Sequence, residues 1–425
     1  MCGELVSYMN ILMLTESNFP GDIRVRQEAE LLTKKGHHVS VIALCDKGQK
    51  FCEEIKAVNV YRVPKIELFS KVGKKPEKTR YRLLTQFMGL FEAIIGYSFE
   101  YAYFTTACCF LSVFAIVRHR FEVIHTHNPP DTLFIVALFY KFFFGKKFVY
   151  DHHDLSPDLF VEKYSQKSKY IYNLLLLLER ISCQSADIVI ATNESYKAVE
   201  IQRCGVREEK IFVVRNGPNL NEMKSSKPIK KIRDRAKTIL CYLGAINVQD
   251  GVDYVLDVLA KMIYKFNQKD VLLLVIGDGD HLPRIRELAT ELEIDDYVAF
   301  TGYIFDRQKL SRYLSSVDIF VDAAPYSFLN DKSTFIKHME YMVYEKPVVS
   351  FALKESVFSL QDAGLFVPPN DTDQMAQKIV ELMKDPTQCA VLGRNAAKRV
   401  KEVSWDRVSK PLIAAYEDIS MDVQH

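Results

Sequence analysis

The chain has 425 residues, of which 48% are hydrophobic and 26% charged, and its formal net charge is +2. This length predicts two domains of about 200 residues each, and the composition excludes an intrinsically disordered chain. The nearly balanced charge does not support nucleic-acid binding, so we expect no nucleic-acid partner.

Cysteine usage and the first residues predict the compartment. The nine cysteines are odd in number and form no C-x-x-C pair. This excludes a disulfide framework and a structural zinc site, and it favours a reducing, cytoplasmic compartment. The first residues, "MCGELVSYMNILML", lack the charged segment and the cleavage site of a signal peptide, and they predict a strand instead.

The N-terminal half alternates strands with helices. "YMNILMLTE" predicts a strand buried on both faces, and the loop "NFPGD" then supplies Gly21 and a helix N-cap, Asp22. A helix ends at Gly36, and "HHVSVIAL" forms the next strand, which together make a βαβ unit with parallel strands. "FEVIHTH", "KKFVYDHHD" and "ADIVIATN" continue the pattern. Residues 1–220 are therefore predicted to be one Rossmann-like domain.

The most apolar stretch is "AYFTTACCFLSVFAIV", residues 102–117. It is short for a membrane span, and acidic residues interrupt its extension upstream, so a buried helix is predicted. The segment before this region, "KVGKKPEKTRYR" at 71–82, is basic. It could contact an anionic membrane surface that carries a lipid-linked acceptor, or it could be a solvated loop, and both interpretations stay open.

The C-terminal half repeats the α/β pattern. Residues 221–237 are polar and basic and predict a linker, and 238–404 predict a second parallel sheet with helices. Residues 405–425 predict a final helix. Ligands of such sheets bind beyond the carboxyl ends of the strands. Polar side chains are concentrated at those ends, among them Asp22, His127, His153, Asp154, Arg215 and Tyr303.

The motifs "HTHNPPD" and "DHHD" contain imidazole and carboxylate groups, which are ligands of zinc or manganese. His125 and His127 share one face of a strand and could share an ion, whereas the adjacent His152 and His153 could not. No third motif with ligand spacing is present. We therefore predict no metal, with one histidine of each pair packed and the other lining a binding cleft.

Two segments of the second half could contact a nucleotide. Gly277 and Gly279 in "VIGDGDHLP" allow either close approach to a ligand or a mere tight turn. The missing third glycine disfavours NAD. In "NDKSTFIKHME", Ser333 and Thr334 are predicted to start a helix whose free N–H groups favour phosphate, beside the positive Lys332. Glu340 lies about two turns further and could accept two hydrogen bonds from a ribose diol, or simply face solvent.

Several stretches together carry a family resemblance: "FPGDIRVRQEAELLTKKGHHV", "IHTHNPPD", "VVRNGPN", "YLGAINVQDGVDYVLDVLA", "VIGDGDHLPRIRELATELEIDDYVAFTGYI" and "LNDKSTFIKHMEYMVYEKPVVSF". Over nearly its whole length the chain resembles the retaining glycosyltransferases of family 4, in a subgroup with DHHDLSPE-like and LNDKST-like motifs. The resemblance implies the GT-B fold, with two Rossmann-like, doubly wound domains facing across a cleft. It also implies an acceptor domain, then a donor domain, and a last helix that crosses back to the first domain.

The activity that the resemblance implies is transfer of a hexose from a nucleoside diphosphate sugar to a hydroxyl acceptor, a glycan or a lipid-linked saccharide, with retention. The leaving phosphate oxygen would take the acceptor proton. No cofactor is implied, and because no DxD motif is placed for a divalent ion, metal-independent activity is expected. A nucleotide-sugar epimerase of the same fold and a noncatalytic partner of a transferase are the alternatives. The protein is expected to be cytoplasmic, at the inner face of the membrane if it binds one.

The resemblance also implies roles for single residues. His127 would approach the donor sugar, Gly21 the diphosphate and Glu340 the ribose. The further donor-side residues are Asp22, Gly244, Gly277, Gly279, Tyr303, Ser333 and Thr334, and the acceptor-side residues are His153 and Asp154. The chain departs from the family at Lys332, where a glutamate is usual, and at Ala245 and Asp250, where basic residues are usual. Arg215, Lys332 and the N–H groups of Ser333 and Thr334 are therefore the candidates for the positive charge.

Overall fold

The structure is a computed structural model that describes residues 8–46, 48–66, 82–164 and 168–423. The chain divides into two compact units. The first consists of Met1–Val214 together with Ser409–His425, and the second of Arg215–Val408. Residues 71–81 of the basic segment discussed above lie outside the described residues.

The described residues contain fourteen strands and seventeen α-helices. The strands are β1 Asn10–Asn18, β2 His38–Cys45, β3 Cys52–Ile55, β4 Val58–Pro64, β5 Val123–His127, β6 Lys147–His152, β7 Ile188–Ala191, β8 Ile211–Val213, β9 Thr238–Leu243, β10 Val271–Ile276, β11 Val298–Gly302, β12 Ile319–Asp322, β13 Val348–Phe351 and β14 Gly364–Val367. The helices are α1 Ile23–Lys34, α2 Arg82–His119, α3 Phe134–Phe144, α4 Ser156–Tyr164, α5 Lys169–Ser185, α6 Glu194–Gln202, α7 Lys230–Arg233, α8 Val252–Tyr264, α9 Leu282–Glu291, α10 Arg307–Leu314, α11 Phe328–Lys332, α12 Ile336–Met342, α13 Lys354–Leu360, α14 Thr372–Met383, α15 Pro386–Glu402, α16 Trp405–Val408 and α17 Lys410–Val423.

Each unit is built on one sheet. The first sheet has the order β3-β4-β2-β1-β5-β6-β7-β8 and is parallel except for β3, which pairs antiparallel with β4. The second has the order β11-β10-β9-β12-β13-β14 and contains parallel pairs. This is the strand order of doubly wound dinucleotide-binding folds, so the predicted fold class is confirmed.

The first βαβ unit forms as predicted. β1 and β2 pair in parallel through Asn10 and His38 at their first residues. The Asp22 carboxylate accepts a hydrogen bond from the N–H of Val25 over 3.1 Å and so caps α1. Gly36, which follows the helix, has φ +97°, a conformation that favours glycine.

Two boundaries differ from the sequence-based expectation. The predicted linker, 221–237, belongs to the second unit. The N–H of Ser226 donates to Ser315 Oγ and that of Ile229 to Ser316 Oγ, each over 2.8 Å. A polar segment can thus be anchored by hydroxyl groups, which composition does not show. The final segment forms two helices instead of one, α16 in the second unit and α17 in the first.

The apolar stretch 102–117 is helical, but it is buried only in part. Phe104 and Cys108 of α2 are fully buried, whereas Phe110 is 74% and Val117 79% exposed. The helix packs against the sheet with one face only, which corrects the prediction of a buried helix. Within the described residues, Phe99–His119 is long and apolar enough to cross a membrane, with a mean hydropathy of 1.5.

Candidate active site

One candidate site lies at the carboxyl ends of β1, β5 and β6. The strand order of the first sheet reverses between β1 and β5, which are paired neighbours. Ligands of open parallel sheets bind at such a reversal, because the loops diverge there and leave a crevice. His125 and His127 lie at the end of β5, and Asp151 and His152 at the end of β6.

A buried ion pair occupies this position. The guanidinium of Arg24, in the first turn of α1, donates to both carboxylate oxygens of Asp151 over 2.9 and 3.0 Å. It also lies 3.2 Å from Glu28 and donates to the carbonyl of Val214 over 2.8 Å. Bidentate geometry is what a buried guanidinium–carboxylate pair needs to offset its desolvation. We refer to Arg24, Glu28, His125, His127 and Asp151 as the Arg24 cluster.

The charges of the Arg24 cluster are balanced. Burial opposes ionisation of Asp151, but Arg24 and the neighbouring histidines outweigh burial and hold the pKa of Asp151 well below its usual range. Burial, reinforced by Asp151, raises the pKa of Glu28 well above its usual value. Burial lowers the pKa of both His125 and His127. These shifts favour a charged Arg24–Asp151 pair beside the neutral forms of Glu28, His125 and His127.

Four members of the Arg24 cluster also have the chemistry of a metal site. Glu28, His125, His127 and Asp151 each offer a ligand atom within 4.8 Å of the others. As expected from alternate positions on a strand, His125 and His127 are stacked, with ring centroids 4.3 Å apart. Arg24, however, already binds the Asp151 carboxylate and supplies the positive charge that a metal would bring. The geometry favours an ion pair over a metal here.

The histidines differ in exposure. His125 and His127 are both buried, so the prediction that one of this pair lines a cleft is wrong. His152 is fully buried and pairs with acidic residues of α5 and α6, whereas the His153 side chain is 16% exposed, as predicted for that pair. His153 Nε2 lies 2.8 Å from Asp151 and 3.2 Å from His127 Nδ1. Of these four histidines, a ligand reaches His153 most readily, and His127 supports it from the buried side.

Asn128 joins the two histidine motifs. Its Oδ1 accepts hydrogen bonds from the N–H groups of His153 and Asp154, over 2.6 and 3.2 Å. Its Nδ2 donates to the Asp154 carbonyl over 2.7 Å and to the Asp131 carboxylate over 3.0 Å. This amide fixes His153 and Asp154, the two predicted acceptor-side residues, at the end of β6. Burial raises the pKa of Asp154.

A second candidate site lies in the other unit, at the strand-order reversal between β9 and β12. Asp322 ends β12, and Lys337 extends from α12. Lys337 Nζ lies 2.7 Å from the Asp322 carboxylate and 4.5 Å above the ring of Tyr242. Burial opposes the charge on Lys337, but Asp322 outweighs burial and raises the pKa of Lys337. His338 Nε2 lies 2.6 Å from the other oxygen of Asp322. A charged ammonium group is therefore fixed at the reversal.

The glycines after β9 and β10 bring two loops together. Gly244 and Gly277 have φ of +152° and +145°, values that favour glycine. A Cβ atom on Gly277 would lie 1.8 Å from the Gly244 carbonyl oxygen, and one on Gly279 would lie 2.4 Å from the Ile246 carbonyl oxygen. Close backbone packing between the two loops thus requires Gly277 and Gly279. The Lys337 stem passes beside this loop, 3.7 Å from where a Cβ on Gly244 would lie, which is an ordinary contact distance.

Ser333 and Thr334 do not start a helix, contrary to the prediction. α11 ends at Lys332, and α12 begins at Ile336 with Phe335 as its N-cap. The Ser333 hydroxyl instead donates to the Leu329 carbonyl over 2.8 Å at the end of α11. Serine hydroxyls satisfy helix carbonyls as readily as they cap N-termini, and the sequence does not separate the two.

The other predicted cations have partners. Lys332 Nζ lies 3.9 Å above the ring of Phe328. Arg215 donates to Glu355 over 2.8 Å, and its guanidinium lies 3.8 Å above the ring of Phe358. Within the described residues, Nη2 of Arg215 is buried and has no hydrogen-bond partner. Arg215 therefore keeps one N–H group available for an anion, although Glu355 balances its charge.

Glu340 and Tyr303 have the exposure that ligand contact needs. Glu340 is half-buried on α12, where burial raises its pKa to about 7 against the opposing effect of Arg307. Tyr303 follows β11, is 63% exposed and packs edge-to-face on Phe305 with ring centroids 4.6 Å apart. The two side chains offer a hydrogen-bond acceptor for a diol and an aromatic face for a base.

Comparison with known proteins identifies the family. The family model described as "Glycosyl transferase 4-like domain" matches residues 22–217, and that described as "Glycosyl transferases group 1" matches residues 237–385. The two matches together span most of both units. The chain belongs to the family-4-like glycosyltransferases. It is an enzyme of that type, as predicted.

Relatives and solved structures agree with this placement. The glycosyltransferase is 25% identical over 407 residues to "Uncharacterized glycosyltransferase MJ1607" of Methanocaldococcus jannaschii, covering 93% of each chain. It is 30% identical over 187 residues to a phosphatidyl-myo-inositol mannosyltransferase of Mycolicibacterium smegmatis, 43% of this chain and 46% of that one. Sucrose-phosphate synthase from Thermosynechococcus elongatus matches with a TM-score of 0.73 and 21% identity over 97% of this chain and 100% of that one. HepE of Anabaena, solved with UDP and glucose, matches with a TM-score of 0.68 and 18% identity over the same shares. The predicted GT-B fold is confirmed.

Four ionisable residues of this glycosyltransferase's candidate sites, Arg24, Glu28, Asp322 and Lys337, escaped prediction from sequence. One signal was available for Lys337. It stands between Ile336 and Met339 on a helix whose apolar residues indicate burial, and a buried lysine needs an acidic partner. No comparable local signal identifies Asp151 as the partner of Arg24, because the two are 127 residues apart.

Proposed function

We propose that this glycosyltransferase transfers a hexose from a nucleoside diphosphate sugar to a hydroxyl of a glycan or lipid-linked acceptor, with retention of configuration. The observation that carries the proposal is the charged Lys337 at the strand-order reversal of the second sheet. Further support comes from the HepE structure, which contains UDP and glucose, and from the relative named as a phosphatidyl-myo-inositol mannosyltransferase.

Lys337 supplies the positive charge that a departing diphosphate needs. Ala245 and Asp250 hold the places where family members usually have basic residues, and Lys337 reaches the same loop from α12. Glycosyl transfer separates charge into a cationic sugar and an anionic diphosphate. A fixed ammonium group in a site of low dielectric stabilises that anion without reorganisation. The available N–H group of Arg215 is a second donor in the same unit.

The remaining donor contacts are proposed from the chemistry of the side chains. The Glu340 carboxylate accepts two hydrogen bonds from the ribose diol, and Tyr303 with Phe305 packs against the base. For Gly21 and Asp22, at the start of α1, the resemblance implies a role at the diphosphate. The resemblance implies that His127 approaches the sugar, but because His127 is buried we propose that it acts through His153, 3.2 Å away. Lys332 adds charge beside the donor.

The acceptor binds on the first unit in this proposal. His153 and Asp154 offer an imidazole and a carboxylate to acceptor hydroxyl groups, and Asn128 holds both in place. The leaving phosphate oxygen takes the acceptor proton. We further propose that activity needs neither cofactor nor metal, and that the enzyme works in the cytoplasm.

Neither alternative function gains support. The relatives and the family models carry glycosyltransferase names, and no epimerase is among the relatives compared above. The case for a noncatalytic partner rested on the missing basic pair, and Lys337 offers a replacement for that charge.

The first test is thermal unfolding with a panel of UDP-, GDP-, ADP- and TDP-sugars, each in excess chelator. A ligand that binds only the folded protein raises the midpoint of unfolding. We expect one nucleotide series to raise the midpoint of the wild type and not that of Glu340→Ala. Glu381→Ala, at an exposed glutamate of the same unit, is the matched control and should respond like the wild type. No shift with any member of the panel would contradict the proposed donor, and a shift that requires added manganese would contradict metal independence.

Donor affinity should depend on pH through Glu340. Because burial raises the pKa of Glu340 to about 7, the carboxyl group is mostly protonated at pH 6 and mostly ionised at pH 8. Only the ionised form accepts hydrogen bonds from both ribose hydroxyls, so donor affinity should fall about tenfold from pH 8 to pH 6. Titration calorimetry across this range measures it. Glu340→Gln should bind weakly with a flat profile, and a flat profile in the wild type would contradict the assignment.

A further inference from the structure

Three helices cover one face of the first sheet. α2 packs against β1 and β2, α3 against β5 and β6, and α5 against β6, and α3 contacts both other helices. The inward stripe of α2 is buried, including Phe104, Cys108 and Ala115. Since this stripe is part of the core, α2 cannot leave the sheet to cross a bilayer without exposing the core.

The outward face of these helices is apolar as well. On α2, Phe110 is 74%, Val113 52% and Val117 79% exposed. On α3, Phe142 is 76% and Phe143 74% exposed. α5 adds exposed residues of the same kind, Tyr170, Leu174 and Leu177. The outward face of a helix in a soluble domain is normally polar, so exposed apolar side chains on three neighbouring helices mark this face as an interaction site.

Basic residues outnumber acidic ones where α2 and α3 end, although Lys141 pairs with Asp187 over 2.8 Å. Residues 101–121 and 132–150 contain five basic residues, Arg118, Arg120, Lys141, Lys146 and Lys147, and no acidic residue. α2 and α3 end directly before β5 and β6, which are paired neighbours, so the basic residues that follow the two helices lie at one edge of the sheet. Apolar side chains beside basic groups complement the acyl chains and anionic headgroups of a bilayer.

We propose that the outward face of α2, α3 and α5 is a docking face that inserts into the interfacial layer of an anionic membrane. The enzyme would lie on the membrane and not span it, with Phe142, Phe143 and Val117 among the acyl chains and Arg120 and Lys146 at the headgroups. The proposal rests on the proposed function in one respect. Of the two acceptor classes named there, a membrane-docking face favours the lipid-linked acceptor over the soluble glycan. The face lies in described residues and does not depend on the basic segment 71–81.

Vesicle flotation of the full chain tests this proposal, with phosphatidylcholine vesicles and with vesicles that also contain phosphatidylglycerol. We expect the wild type to float with the anionic vesicles and less with the neutral ones. The triple variant Val117→Ser/Phe142→Ser/Phe143→Ser should bind at least about tenfold more weakly, since three apolar side chains no longer enter the bilayer. Arg120→Gln/Lys146→Gln removes two charges and should weaken binding by about fivefold for each, or about 25-fold in total, on anionic vesicles only.

Phe51→Ser is the matched control, because Phe51 is 54% exposed on the same unit but follows β2 and belongs to none of the three helices. It should float like the wild type.

Donor-induced thermal shifts should be unchanged in all variants, so a failure of docking and a failure of the proposed donor chemistry give different results. A wild type that stays soluble with both vesicles, or a triple variant that floats like the wild type, would overturn the proposal. A third outcome would also overturn the proposal: the wild type binds no vesicles but self-associates, and the triple variant loses that self-association. The face would then be an interface with a second copy of the chain.

Discussion

Lys337→Met is expected to weaken donor binding by about 10- to 100-fold. This is the range for losing a hydrogen bond to a charged group, about 1.5–3 kcal/mol. The variant also leaves Asp322 buried without its cation. Losing one partner of a buried ion pair costs about 3–5 kcal/mol of unfolding free energy. Donor titration and chemical denaturation measure the two effects separately.

A second variant separates binding from stability. In Lys337→Met/Asp322→Asn the buried charge is removed with its partner, and the asparagine still meets His338, so most of the lost stability should return. Donor binding should not return, because the ammonium group is still missing. Lys378→Met is the matched control, since Lys378 is 41% exposed in the same unit and pairs with the exposed Glu381, and it should leave donor affinity unchanged. Full donor affinity in the stabilised double variant would show that Lys337 is only structural.

Arg24→Met should lower the unfolding free energy by about 3–5 kcal/mol. The substitution removes the guanidinium that binds both oxygens of Asp151, while Asp151 stays fully buried. Arg207→Met is the control within the same unit. Its ion pair with Glu209 is 71% and 65% exposed, and such pairs contribute about 0–1 kcal/mol. Denaturant unfolding of both variants measures the difference.

The destabilisation by Arg24→Met should depend on pH. In the wild type the pKa of Asp151 is depressed, so its contribution to stability is present above the unfolded pKa and is lost as the pH falls through the folded pKa. Without Arg24, burial raises the pKa of Asp151, and its ionisation then opposes folding at neutral pH. The difference between variant and wild type should therefore shrink as the pH is lowered from 8 to 5. A difference that stays constant over this range would mean that the loss is one of packing and not of charge.

Local features of the fold could be predicted from the sequence. The βαβ unit, the Asp22 cap and the glycine that follows α1 depend on hydrogen bonds and backbone angles within a few residues. Periodicity of apolar residues then indicated parallel sheets, and strands in such sheets place their carboxyl ends at one edge. This is why His153 and Asp154 could be assigned to a strand end before the structure was known.

The tertiary structure decided what depends on distant contacts. The sequence does not show that Arg24 pairs with Asp151, because folding brings together residues 127 positions apart. It does not show that the Ser333 hydroxyl donates to a carbonyl at the end of α11, because a serine hydroxyl can hydrogen-bond at either end of a helix. It identified α2 as apolar but not the face that the sheet leaves uncovered. Composition and periodicity therefore determined the elements and their order, whereas the neighbours of each charge and each apolar face were decided only when the sheets and helices packed.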